Sequence, residues 1–310
     1  MEGTSVMPEA ARRTGRSWLV AREYATGILF LAPSLILFAI FILWPIVESV
    51  WYSLHANNII GQATLFVGLE QYVTYFQQSG TWQILGNTLY FAAATVIPTI
   101  VLALGISALL TQKLRGIGVF RTLIATPFAF SSATAAVVFA TFFSPGVGIF
   151  DGFLQELHLT PVHWLTSPNL AMPSVAGMSV WLLLGYDVLV LTAGFGGIPD
   201  DVMEASSLDG ARGWSLFRHV LFPLLTPTIF FLLVVNTITA LQSFGQIDIL
   251  TQGGPANSTT TLVYSIYLNA FGFGSANFGL ASAEAIVLFV LVLIITGLQF
   301  GVLERRVFYQ

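Results

Sequence analysis

The amino-acid sequence predicts an all-α, polytopic membrane protein with six transmembrane helices and both termini in the cytoplasm. Composition is the first reason. Of 310 residues, 55% are hydrophobic and only 8% are charged, and the mean hydropathy is +0.82. A chain of this length would suffice for two soluble domains, but so few charges cannot cover a soluble surface. The second reason is a set of apolar runs close to the ~20 residues that cross a hydrocarbon core. They fall at 26–52, 88–110, 121–143, 175–195, 220–241 and 281–303. The third is the placement of the eleven basic residues. Four precede the first run (Arg12, Arg13, Arg16, Arg22), and three surround the 111–121 turn (Lys113, Arg115, Arg121). Two lie between the fourth and fifth runs (Arg212, Arg218) and two follow the sixth (Arg305, Arg306). The alternating segments 53–87, 144–174 and 242–280 have none, so the positive-inside rule puts them outside.

Residues 1–25 read as a cytoplasmic tail, and 26–310 as one transmembrane domain. A basic start before an apolar run can mark a signal peptide. The run Ile28 to Tyr52 is too long for that and lacks a small-residue cleavage site. It is read as a retained signal-anchor, the first helix. Pro33, Pro45, Pro98, Pro127 and Pro227 fall in or near the predicted helices, where neighbouring groups can satisfy the freed carbonyls. On the outer side, Phe66 to Tyr72 is expected to begin a short amphipathic helix. Phe142 to Gly148 reads as a helix end and a turn, and Gly253-Gly254-Pro255 as a second sharp turn. Thr259 to Phe271 is expected to form a surface helix with Leu262, Ile266 and Phe271 toward the membrane. No internal repeat or low-complexity tract is evident.

Several function classes are excluded by residue content. The absence of cysteine removes disulfides, thiol catalysis and Cys-ligated metals. The four histidines (His55, His158, His163, His219) show no metal-ligand spacing, so no metal site is assigned. The single lysine, Lys113, sits between Gln112 and Leu114, whereas a Walker A loop needs Gly-Lys-Ser/Thr. ATP-driven work would therefore need a separate ATPase that binds ATP and Mg. No catalytic constellation of His, Asp and Ser is present. The net charge of −4 says little about partners, and nothing suggests nucleic acid.

Charge is concentrated in one polar island, Pro199 to Pro223, which holds Asp200, Asp201, Glu204, Asp209, Arg212 and Arg218. Pro199 followed by two aspartates is a helix start, because carboxylates favour the positive N-terminal end. Gly210 is expected to break that helix with φ > 0, or to allow a close approach. Trp214 to Phe217 then begins a second helix, and Pro223 starts or kinks a third.

The island resembles the cytoplasmic "EAA" loop of ABC-importer permeases. Glu204, Ala205, Gly210 and Pro223 stand at that motif's spacings, with Ser206, Val220 and Phe222 as departures of similar size. The likeness to sugar-type (maltose-type) permeases extends over about residues 26–310. It is carried by Trp44-Pro45, Trp51 to Leu54, Phe66 to Leu69, Leu114-Arg115-Gly116 and Leu250 to Pro255. Within that family the chain looks most like glycerol-3-phosphate permeases of the "A" type, through Trp51 to Leu54, Thr259 to Tyr264 and Glu304 to Gln310. The resemblance implies an ABC type I importer fold and an ATP-driven importer of glycerol-3-phosphate or a glycerophosphodiester. It also implies a second related permease, two ATPase subunits and an extracytoplasmic solute-binding protein in the bacterial inner membrane. Glu204, Ala205, Ser206, Asp209, Gly210, Val220 and Pro223 would form the ATPase-coupling loop. A cavity-lining tyrosine of the family falls on Tyr186.

Intramembrane polar residues supply the substrate-path candidates. A carboxylate at the bilayer centre costs about 2.5–3.5 kcal/mol on insertion scales, so Asp187 must face a cavity or a partner helix. Glu48 and Glu284 sit near helix ends, where water is in reach and a structural reading is preferred. Gln242, Ser243 and Gln246 form a polar stripe at helical spacing, with Asn236 deeper. They can replace solute hydration or bond neighbouring helices. No Lys or Arg lies in a helix interior or outer loop, so a neutral sugar or oligosaccharide suits this half of the path as well as an anion. The competing classes are an ion-coupled secondary transporter using Asp187, and a membrane-embedded enzyme. The first usually shows related halves and leaves the polar island unexplained.

Overall fold

The computed structural model describes residue 24 and residues 26–58, 62–111, 115–272 and 276–303. The basic residues of the N-terminal tail, Lys113, Leu114, Arg305, Arg306 and the run Glu304 to Gln310 lie outside them. Helix α1 (Thr26–Ser53) leads into a small antiparallel hairpin of β1 (His55–Asn57) and β2 (Ala63–Phe66). Helix α2 (Glu70–Gln77) follows, then α3 (Thr81–Leu110), α4 (Ile117–Ala129), α5 (Ser132–Phe142) and α6 (Ile149–Glu156). The second half runs through α7 (Pro168–Gly196), α8 (Asp200–Leu208), α9 (Trp214–Leu241), α10 (Gly245–Leu250), α11 (Leu262–Phe271) and α12 (Phe278–Gly301). Among the described residues α1, α3, α7, α9 and α12 are each long and apolar enough to cross a membrane, and α4 with α5 completes a sixth span if the bent pair counts as one.

Three helix starts move from their predicted places. Helices α3 and α7 start seven residues early, at Thr81 and Pro168, and α9 starts at Trp214 instead of 220. Hydropathy locates the apolar stretch, while backbone hydrogen bonding continues past it. The expected separate helix at Trp214 to Phe217 is therefore the first turn of α9 itself. A wide π turn at Phe217–Leu221 follows, just before Pro223. A similar π turn, Ala39–Leu43, precedes Pro45 in α1. A proline removes one backbone donor and crowds the carbonyl four residues back, and a wide turn is a known way to absorb that.

The larger correction is to the third predicted helix, 121–143, which is not straight. Its halves α4 and α5 are bent by 104° about Phe130 and Ser131. Helix α4 tightens into a 3₁₀ turn at Thr126–Ala129 around Pro127, and Phe130 is extended with ψ 141°. Ser131 then restarts the helix, its Oγ accepting the Thr134 N–H at 3.2 Å, the usual N-cap arrangement.

The core lies between α3 and α7. Phe91, Val96 and Ala103 of α3 are buried against Val175, Met178, Val188 and Leu191 of α7, with Leu232 and Leu241 of α9 closing it. Gly185 lets the broken span approach α7 closely. A Cβ there would stand 3.0 Å from both the Ala125 carbonyl oxygen and the Phe128 nitrogen.

At the end opposite α8, short elements cover the bundle. The Gly253 turn is tied to α3 by Asn87, whose Nδ2 donates to the Asn257 and Thr260 carbonyls at 2.9 and 3.1 Å. Leu262 and Ile266 do not face the membrane as expected. Leu262 is fully buried beside Tyr75 and Leu280, Ile266 packs on the same cluster, and Phe271 alone stays largely exposed. The helix expected from Phe66 begins at Glu70, because 63–66 pairs with β1.

Candidate functional site

Two adjoining hollows open among α3, the α4–α5 break, α7 and the end of α9. The first, of about 400 Å³, is lined by Thr95, Ser132, Ser179 and Thr239 together with Gln242, Ser243 and Gln246. The second, of about 300 Å³, is lined by Phe128, Phe130, Tyr186, Val235 and Asn236. Leu182, Leu183 and Thr239 belong to both walls. The lining carries hydroxyls, amides and aromatic faces and no charged side chain. Such a surface can exchange hydrogen bonds with a hydroxylated solute as it sheds water.

Five of the six path candidates meet here. Tyr186 lines the second hollow with its ring 5.4 Å from that of Phe128. Gln242, Ser243 and Gln246 line the first, but not as a stripe on one helix. Helix α9 ends at Leu241, the chain turns through Gln242 to Phe244, and Gln246 belongs to α10. Their spacing resembled a helix because a short turn between two helices keeps nearby residues on one side. Gln246 is buried and its Nε2 lies 3.4 Å from Ser179 Oγ.

Asp187 is the exception. It is fully buried and belongs to neither wall. Its Oδ2 accepts the Asn236 Nδ2–H at 2.6 Å, linking α7 to α9, and its Oδ1 is buried with no partner. Glu284 does not reach water. It is buried in α12, where its Oε1 accepts Ser265 Oγ at 2.9 Å and Asn269 Nδ2 at 3.0 Å from α11. Glu48 is exposed on α1.

Sequence reasoning missed Thr95, Ser132, Ser179 and Thr239. Single hydroxyls inside apolar helices carry no signal of the face they occupy. Ser132 was more legible, since Pro127 with Ser131-Ser132 shortly after it marks an interruption.

The second region is the polar island. Helix α8 starts after an extended Pro199 and stops at Asp209. The Ala211 N–H reaches the Ser206 carbonyl at 3.0 Å and the Gly210 N–H reaches that of Ser207 at 3.1 Å, with Gly210 at φ +77°. That pair of bonds with a left-handed residue is the Schellman termination, which favours glycine. A Cβ on Gly210 would meet nothing within 4 Å, so backbone conformation explains this glycine and close approach does not. Gly213, which the sequence reading overlooked, also has positive φ, +53°.

Between α8 and the first turns of α9 lies a hollow of about 540 Å³, lined by Val202, Ala205, Ser206, Asp209 and Val220 among others. Glu204, Gly210 and Leu208 are exposed, as is Trp214, and Pro223 is half-buried in α9. Ser206 is buried, and its hydroxyl donates to the Met203 carbonyl at 2.8 Å, so the departure from alanine leaves no unsatisfied group.

Residues 117–309 match the family described as binding-protein-dependent transport system inner membrane component. The sn-glycerol-3-phosphate transport system permease protein UgpA of Agrobacterium fabrum is 36% identical over 91% of this chain and 95% of its own length. UgpA of Salmonella typhi is 37% identical, with the same shares covered. Among solved structures, a chain of a bacterial ABC transporter involved in the import of the acidic polysaccharide alginate superposes with a TM-score of 0.80 at 23% identity. That match covers 94% of this chain and 99% of the other, and it bears on fold alone.

Proposed function

Because this chain belongs to the family of binding-protein-dependent transport system inner membrane components, and is thus an inner-membrane ABC importer permease subunit, we propose that it carries glycerol-3-phosphate or a glycerophosphodiester. In this reading a solute-binding protein delivers the solute, and the hollows beside Tyr186 and Asn236 form this chain's half of the path. A related permease supplies the other half. Two ATPase subunits, which bind ATP and Mg, dock on the 199–223 segment at the cytoplasmic end.

The observation that carries the proposal is the pairing of two features at separate places in one bundle. One is an uncharged, hydroxyl- and amide-lined hollow at the broken span. The other is an exposed helix, a Schellman turn and a second helix start that is continuous with span α9. A push at Trp214 is transmitted along α9, because Trp214 is its first residue and the helix runs on to Leu241, while α8 joins it through the Gly210–Gly213 turn. ATP-driven closure of the ATPase pair would thereby shift the end of α9 against α7 and change access to the hollow.

A neutral sugar is the second reading, favoured by walls that offer an anion no cationic partner. In that case the solute's hydroxyls alone would be matched. The test is uptake into vesicles holding the complete complex, with labelled sn-glycerol-3-phosphate and with glycerophosphocholine or maltose as competitors. ATP-dependent uptake of the first, reduced by glycerophosphocholine and not by maltose, is expected. Uptake that follows a proton or sodium gradient without ATP would reject the importer coupling, and competition by maltose alone would favour the sugar.

A further inference from the structure

Asp187 and Asn236 are both buried, at 0% and 1% exposure, but only Asn236 belongs to the wall of the hollow beside Tyr186. The Asn236 Nδ2 is engaged behind the wall by Asp187 Oδ2 at 2.6 Å. A carboxylate only accepts, and an amide has one donor end and one acceptor end. Reversing the amide would set two oxygens against each other, so the end left for the hollow is the carbonyl oxygen.

We infer that Asp187 is a positioning residue of the solute path, fixing the Asn236 amide from behind so that this chain presents an uncharged acceptor to a solute hydroxyl. This rests on the reading of the hollow as the solute path. Helix cohesion does not account for an aspartate at this position. Its second oxygen, Oδ1, is buried with no partner, and a buried carboxyl with one bond is a poor way to join two helices. An asparagine would tie α7 to α9 as well, without that burden. It would also let either amide turn, and the orientation of the wall would be lost. A fixed acceptor suits the hydroxyls of a glyceryl group or a sugar, and it leaves the phosphate of an anionic solute to groups outside this wall.

Two variants of the complete complex in vesicles separate positioning from mere bonding. Asp187→Asn frees the amide, and KM for sn-glycerol-3-phosphate should rise about 3- to 10-fold with kcat held, the size of one neutral hydrogen bond. The exchange Asp187→Asn with Asn236→Asp keeps a bond between the helices but moves the carboxylate onto the wall. KM for the anion should then rise at least about tenfold, from like-charge repulsion in a poorly screened site. Wild-type KM in the exchange variant, or less assembled complex with unchanged KM in the single variant, would overturn the inference.

A second measurement does not depend on the solute. A water-soluble carbodiimide with an amine should modify the carboxylate placed at position 236 in the exchange variant at least about tenfold faster than Asp187 in the native chain, because position 236 borders the hollow and position 187 does not. Equal rates would overturn the inference. Failure of the wild-type complex to take up sn-glycerol-3-phosphate would instead reject the solute assignment, and labelling alone would then decide the role of Asp187.

Discussion

Gly210 has φ +77° and open space where a Cβ would stand, so any side chain there is strained by the backbone alone. A left-handed conformation costs a residue with a Cβ about 1–2 kcal/mol, which shifts a surface turn without unfolding a bundle of spans. Gly210→Asp should therefore leave the chain inserted in the membrane while it weakens ATPase docking and uptake. Glu204→Lys, which reverses an exposed charge, should do the same to a smaller degree. Pull-down of the ATPase from membranes that are also assayed for uptake measures both effects, and full retention with normal uptake would remove the loop from coupling. Asp151 gives a residue-scale prediction of another kind. The Gly146 N–H holds its carboxyl below the usual carboxylate range, helped by the Val162 N–H, the Trp164 indole and the charge of His163, and burial opposes them. A depressed pKa contributes stability that is complete above the unfolded value and lost as pH falls through the folded one. The 144–164 loop should therefore loosen only in acid below the ordinary Asp range, reported by Trp164 emission on a background with the other tryptophans replaced. In Asp151→Asn the loop should already be looser at neutral pH, and that acid transition should disappear.

The broken span is the element on which the hollow depends. Pro127 ends α4, Ser131 caps α5, and Phe128 and Phe130 between them form part of the wall. Its position is set by Gly185, where the backbone of residues 124–128 lies against α7. Gly185→Val would place a Cβ 3.0 Å from main-chain atoms that cannot rotate away. Overpacking of this kind costs roughly 1–3 kcal/mol, and here it would push α4 off α7 and move Phe128 away from Tyr186. Less assembled complex and a higher KM are expected together, with Gly185→Ala milder in both. Normal uptake and yield in Gly185→Val would mean that the break does not shape the path.

For the whole molecule, the arrangement of spans carries a prediction about sides. Residue 79, just before α3, and residue 258, after the Gly253 turn, are predicted outside by the basic-residue count. Residue 215, at the start of α9, is predicted inside with the 199–223 segment. The chain has no cysteine, so single cysteines at Ser79, Ser258 and Ser215 can be read against a blank background. The first two should react with an impermeant thiol reagent on spheroplasts and the third should not. Labelling of Ser215→Cys from outside would overturn the orientation of the whole bundle.

The sequence by itself determined the membrane class, the order of the apolar spans, the glycine break at 210 and the family motif around it. Each is a local property. Apolar length is counted along the chain, and Schellman chemistry needs only neighbours in sequence. The interruption near Pro127 was also local, yet hydropathy runs across it, since Phe130 is as apolar as the helix it breaks. Only the tertiary structure decided which polar side chains share a wall. Tyr186 faces the hollow, whereas its neighbour Asp187 is buried behind it, because adjacent helical positions point about 100° apart and a span packed on several sides gives each direction a different neighbour. The same reason hid Thr95, Ser132, Ser179 and Thr239 among many similar hydroxyls, and buried Leu262 and Glu284 where exposure was expected. Facing in a membrane bundle is set by which helices meet, and the periodicity of one strongly apolar helix does not record that.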